Sequence, residues 1–202
     1  MVVLLPGSLR ADGTQSVFPY SHFVSLVTID GGGFCSNNPT VNRPDNLQLQ
    51  AAVGWLELGN WQEANEEIER ITPTSKAHPD VLQVRCKIYC AAGKWDYAAE
   101  IANTLCRMLP DSSFGPLHLS HSLRKLERFK EAIDALLPVA DKFPDEWRIA
   151  YQLACYFCLL GERKEAYEWL SRAIDLAGKQ DIRKMALDEP DLEAVWVDIG
   201  EI

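Results

Sequence analysis

The sequence predicts an all-α chain of four stacked helical hairpins, and three observations carry that expectation. Ala64, Ala98, Ala132 and Ala166 recur at a spacing of 34 residues. Gly59, Gly93 and Gly161 keep the same spacing, with Glu127 standing where the remaining glycine would fall. From Asp45 onward the apolar residues follow a helical rather than an alternating pattern. A period of this length marks an architecture in which one supersecondary unit is copied along the chain.

Each unit reads as a first helix, a glycine turn, a second helix and a polar loop. Gly59-Asn60, Gly93-Lys94 and Gly161-Glu162 supply the left-handed residue that ends a helix cheaply. Small residues recur in the first helix at Ala52, Cys86, Ser120 and Ala154, and large apolar ones at Trp55, Tyr89, Leu123 and Phe157. Aromatic residues open the second helix at Trp61, Trp95 and Phe129, while Arg163 breaks the run. Pro110 and Pro144 close the second and third units. Where the two helices cross, Ala64 is expected to face Ala52 and Ala98 to face Cys86, so that the backbones approach closely. A hairpin of this kind cannot bury its apolar face alone, so neighbours must stack.

These columns resemble the tetratricopeptide-repeat (TPR) pattern, over about Asp45 to Gly178. The resemblance implies an α-α superhelix of four helix-turn-helix repeats, at about residues 45–78, 79–112, 113–146 and 147–178. Residues 179–202 then form a C-terminal cap. Asp188-Glu189-Pro190-Asp191 is a helix stop followed by a new start, with proline at an early helical position. Leu187, Leu192, Val195 and Trp196 offer an apolar face beyond it. This DEPDLEAVW tail looks like the ending of some bacterial TPR proteins, and its expected role is to cover the open end of the fourth repeat.

Residues 1–44 differ from the rest. They hold five of the 12 glycines and four of the 11 prolines, so no continuous helix fits there. Val17 to Ile29 is β-prone but has no evident partner strand. We expect a flexible leader; a natural start downstream, near Val41, is the sharper alternative.

The charge narrows the function. The chain carries a formal net charge of −9, and the neutral leader leaves all of that excess in residues 45–202. An acidic surface repels phosphate backbones, which argues against nucleic-acid or anionic-membrane partners. The opening Met1-Val-Val-Leu-Leu5 is too short for a signal-peptide core and lacks a basic lead. A cytoplasmic protein is expected. The six cysteines are at 35, 86, 90, 106, 155 and 158. All but Cys35 fall within apolar helical patterns, where cysteine serves as a small hydrophobe.

No catalytic set emerges: the sequence has no glycine-rich phosphate loop, nucleophile elbow or HExxH helix motif. We therefore expect no enzyme activity, no cofactor and no metal. An alternative is a metal- or thiol-dependent site built from His118, His121, Cys155 and Cys158, a ligand set that zinc accepts. Against it, adjacent helix axes lie about 8–10 Å apart, and the side chains would have to converge across that gap.

The leading expectation is a non-enzymatic interaction or scaffold module. The resemblance implies that first helices line a concave groove and contact a peptide there. By position, the second unit offers Gln83 and Lys87, the third His118, His121, Arg124 and Lys125, and the fourth Arg148, Tyr151 and Gln152. Lys87, Arg124 and Arg148 would form a basic strip within an acidic protein, suited to an acidic or C-terminal peptide segment. The carboxylate clamp of chaperone-binding TPR domains is not reproduced, because the matching positions of the first unit are the apolar Leu49 and Val53. A monomer or weak homodimer is expected. Self-assembly through exposed end surfaces is the remaining alternative.

Overall fold

A computed structural model describes Val41, residues 43–177 and residues 179–196. The β-prone stretch at 17–29, Cys35 and nearly all of the expected leader lie outside the described residues, as does the chain beyond Trp196.

Every described element is helical. The helices are α1 (Arg43–Glu57), α2 (Trp61–Arg70), α3 (Pro79–Ala91), α4 (Trp95–Met108), α5 (Phe114–Lys125), α6 (Phe129–Ala140), α7 (Trp147–Leu159), α8 (Arg163–Ala177) and α9 (Lys179–Asp188). A 3-10 helix, Pro190–Val195, follows. Successive pairs α1–α2, α3–α4, α5–α6 and α7–α8 form four hairpins, and each hairpin packs on the next. This is the α-α superhelix that the period predicts.

The turn within each hairpin shows why the spacing is fixed. The backbone N–H groups of Asn60, Lys94, Arg128 and Glu162 donate to the carbonyls of Trp55, Tyr89, Leu123 and Phe157 at 2.9, 2.8, 2.9 and 2.9 Å. Closing that ring requires a left-handed residue just before the donor. Glycine fills the position in three turns, and Glu127 adopts φ 59° in the other. A side chain in that region costs about 1–2 kcal/mol. Glu127→Gly is therefore expected to stabilise the protein by about 1 kcal/mol, read as a higher urea midpoint; a lower midpoint would contradict the turn assignment.

The small-residue columns lie at the helix crossings. Ala52, Cys86, Ser120 and Ala154 on the first helices, and Ala64, Ala98, Ala132 and Ala166 on the second, are all 0% exposed. Within α3–α4 the approach is close enough for Cys86 Sγ to donate to Ala98 O at 3.6 Å. Ala98→Leu should overpack this crossing and cost about 1–3 kcal/mol, measured by chemical denaturation. Wild-type stability in that variant would show that the crossing has room to spare. Between units, Gly115 of α5 touches α4 so closely that an added Cβ would lie 2.8 Å from the Cys106 backbone nitrogen.

Other local signals account for the helix ends. Asn60 Oδ1 accepts from Glu63 N–H at 3.2 Å, and Pro79 sits in the first turn of α3 behind the capping His78. Asp45, at the start of α1, accepts from both the backbone and the hydroxyl of Thr72, at 3.0 and 2.6 Å. That pair ties the first hairpin to the loop leading into the second.

The C-terminal part covers the last hairpin. α9 packs on α8, placing Ile182 and Ala186 in the core, and Trp196 Nε1 donates back to Ala186 O at 2.9 Å. Leu192 and Val195 of the 3-10 helix are 0% exposed. They belong to the same core cluster as Leu136, Leu153 and Leu170 of the third and fourth hairpins.

Candidate functional site

The residues singled out on the first helices fall into two groups. Gln83 and Lys87 on α3, Arg124 and Lys125 on α5, and Arg148 on α7 retain exposed surface. His118, His121, Tyr151 and Gln152 are only 2%, 3%, 5% and 6% exposed, so in this conformation they present almost nothing to an incoming chain.

The burial of the second group has specific causes. Gln152 Oε1 accepts from Ser120 Oγ at 2.7 Å and from the Tyr156 hydroxyl at 3.2 Å, joining α7 to α5 inside the core. His118 stacks on Phe114, with ring centroids 3.8 Å apart, and its Nδ1 lies 3.0 Å from Phe114 O. His121 meets Trp95 edge-on at 5.5 Å. Burial holds the His118 imidazole down to about pKa 3, and burial with the nearby Arg124 and Lys125 charges holds His121 well below its ordinary value. Both rings are neutral near pH 7. These positions read as polar and groove-facing in the sequence, but Gln152 and His121 meet neighbouring helices and His118 stacks on Phe114 of its own helix.

Three cations of the first group rest on aromatic rings. Lys87 Nζ lies 5.7 Å from the Phe114 centroid, Lys125 Nζ 5.8 Å from Trp95, and the Arg148 guanidinium 5.3 Å from Trp147. Cation–π attraction of this kind contributes about 0.5–1 kcal/mol at exposed sites and orients the charge. Arg148 also pairs with Glu146 at 3.2 Å.

Arg124 meets a partner that no sequence pattern announces. Its Nε donates to Asp191 Oδ2 at 2.5 Å, its Nη2 also engages that carboxylate, and Glu189 Oε1 lies 3.6 Å away. Both carboxylates come from the C-terminal segment, 67 residues from Arg124 for Asp191. Burial alone would pull the guanidinium down, but the Asp191 charge raises its pKa above the ordinary value. Burial pushes Glu189 up. The 3-10 helix that follows packs on α7, where Tyr151, Cys155 and Cys158 share one helical face.

The cysteine–histidine set does not assemble. Among the described residues, no group of three or more His, Cys, Asp or Glu is placed to hold a metal ion. Cys155 and Cys158 are free thiols, and burial pushes both up, away from the thiolate form that reactivity needs.

Four hairpins in a 34-residue register, each closed by a left-handed turn and crossed through small residues, make up a TPR-like fold. The sequence matches no family model and no curated protein. Solved structures do resemble it. TTC0263, a thermophilic TPR protein of Thermus thermophilus, is similar over 77% of this chain and 83% of its own, at 22% identity and a TM-score of 0.64. MamA from Desulfovibrio magneticus RS-1 is similar over 80% of this chain and 96% of its own, at 17% identity and a TM-score of 0.62. MamA AMB-1 follows at 16% identity, covering 79% of this chain and 91% of its own, with a TM-score of 0.58. At these identities the likeness is one of fold. Among the described residues, no helix is long and apolar enough to cross a membrane.

Proposed function

We propose that this chain is a non-catalytic protein-interaction module that holds an acidic polypeptide segment against the wall formed by its first helices. The observation that carries the reading is the Arg124 pairing, in which the wall already holds the two carboxylates of Glu189 and Asp191. Lys87 and Lys125 extend the positive charge along α3 and α5. A cleft elsewhere, lined by the carboxylates of Asp96, Glu100, Glu131 and Asp134 against the cation Arg128, has the opposite net charge and would disfavour the same ligand. The contacting set is narrowed to Gln83, Lys87, Arg124, Lys125 and Arg148, with Tyr151 contributing where its face is uncovered.

The test is an array of short acidic, neutral and basic peptides probed with the full chain and with a Lys87→Glu, Lys125→Glu variant. Acidic peptides are expected to be retained by the wild type and to bind the variant at least about tenfold more weakly, since two favourable charges become repulsive. Equal retention by both proteins, or a preference for basic peptides, would sink the reading.

A further inference from the structure

The C-terminal segment has the chemistry of the ligand proposed above. It presents two carboxylates, on Glu189 and Asp191, ahead of two buried apolar side chains, Leu192 and Val195, with the exposed Glu193 between the apolar pair. The carboxylates sit on Arg124, while the apolar pair is fully buried with the third and fourth hairpins. The Cys158 thiol lies within reach of the Ala194 and Val195 backbone, and Cys155 and Tyr151 lie in the field of Glu189 and Asp191.

Capping the last hairpin accounts for α9 on α8 and for Leu192 and Val195 of the 3-10 helix on α7, with Trp196 locking back onto α9. It does not by itself require carboxylates on Arg124. The ion pairs reach past the last hairpin to α5, in the hairpin before it. Reaching Arg124 follows the wall along which a ligand would run.

We infer that residues 189–195 are a tethered ligand of a site formed by Arg124, Tyr151, Cys155 and Cys158, and that a partner segment with the same pattern, two carboxylates ahead of apolar side chains at the Leu192 and Val195 positions, binds by displacing it. The inference rests on the acidic-segment reading of the wall and adds to it the ligand pattern and the competitor. Because the tail is covalently attached, its binding is intramolecular, and an incoming segment has to outcompete it. The tail therefore weakens every incoming acidic segment without excluding it, and a segment that also carries the apolar side chains competes best.

Thiol labelling and peptide binding, both on the full chain, test it. Cys155 and Cys158 lie beneath the tail, and Cys86 is buried at a distant crossing and reports global opening. Maleimide labelling of each cysteine is followed by mass spectrometry. Arg124→Glu and Asp191→Arg are each expected to raise labelling of Cys155 and Cys158 at least about tenfold with Cys86 unchanged, and the double charge swap to restore protection to within about twofold. A synthetic peptide of residues 187–196 is expected to bind the Asp191→Arg protein at least about 30-fold more tightly than wild type. Unchanged labelling in the single variants overturns the inference. So does a matching rise at Cys86, or a double swap that stays open. Equal peptide affinity for the two proteins sinks displacement while leaving the acidic-segment reading standing. Absence of peptide binding to either protein removes both.

Discussion

Moving the protein from pH 7 to pH 5 is expected to lower its unfolding free energy by about 2 kcal/mol through His118 alone. Burial holds the folded-state pKa near 3, whereas the unfolded chain titrates near the ordinary value of 6.5. A depressed folded pKa gives stability that is fully present above 6.5. As pH falls below that value, the unfolded chain takes up a proton that the folded ring refuses. The stability is lost progressively down to about pH 3. His121 shifts in the same direction, with Arg124 and Lys125 adding to the effect of burial, and so steepens the loss. Glu189 opposes it only at the acid end, because its raised carboxyl takes a proton in the folded state first. Urea midpoints measured between pH 7 and 5 should therefore fall in the wild type. They should fall less in His118→Phe, which keeps the stack on Phe114 and does not titrate. A wild-type midpoint that is flat across that interval would mean the rings are hydrated or charged in the folded protein.

Leu192→Ala is expected to cost about 2–4 kcal/mol, the usual penalty for emptying a buried leucine site. The side chain is fully buried in the largest core cluster, together with residues of α6, α7 and α8. Global unfolding monitored by circular dichroism should shift with the tail. In a repeat protein the alternative is local: the tail frays and the repeats keep their stability. An unchanged global midpoint with faster amide exchange confined to 190–195 would show that the tail is a dispensable appendage.

Much of the fold could be read directly from the residues, for physical reasons. A left-handed turn selects glycine, a close crossing selects alanine, cysteine or serine, and copying one unit repeats both choices at one spacing. Even the exception was visible, because Glu127 stands in the glycine column and takes the glycine conformation. The site was less legible. Helical spacing identifies which residues share a face, but not which neighbour that face meets. Gln152 and His118 therefore looked like groove residues, although one bridges α7 to α5 and the other stacks within α5. Ser120 carried a signal for the Gln152 network, since it is a hydroxyl in a column otherwise filled by Ala and Cys. Asp191 carried none for Arg124: a pair 67 residues apart leaves no local pattern. What the tail did show was its composition, acidic residues interleaved with apolar ones, and that composition suits the wall it rests on.

The identical ring closures in the four turns have a consequence for how such a chain can change length. Each hairpin leaves its first helix through the same bond and enters the next crossing through the same small side chain. A whole hairpin is then the smallest segment that can be gained or lost without rotating everything downstream. An insertion of a few residues inside a helix would turn bulky side chains into the crossings, whereas a duplication of 34 residues would lengthen the wall and leave both ends as they are.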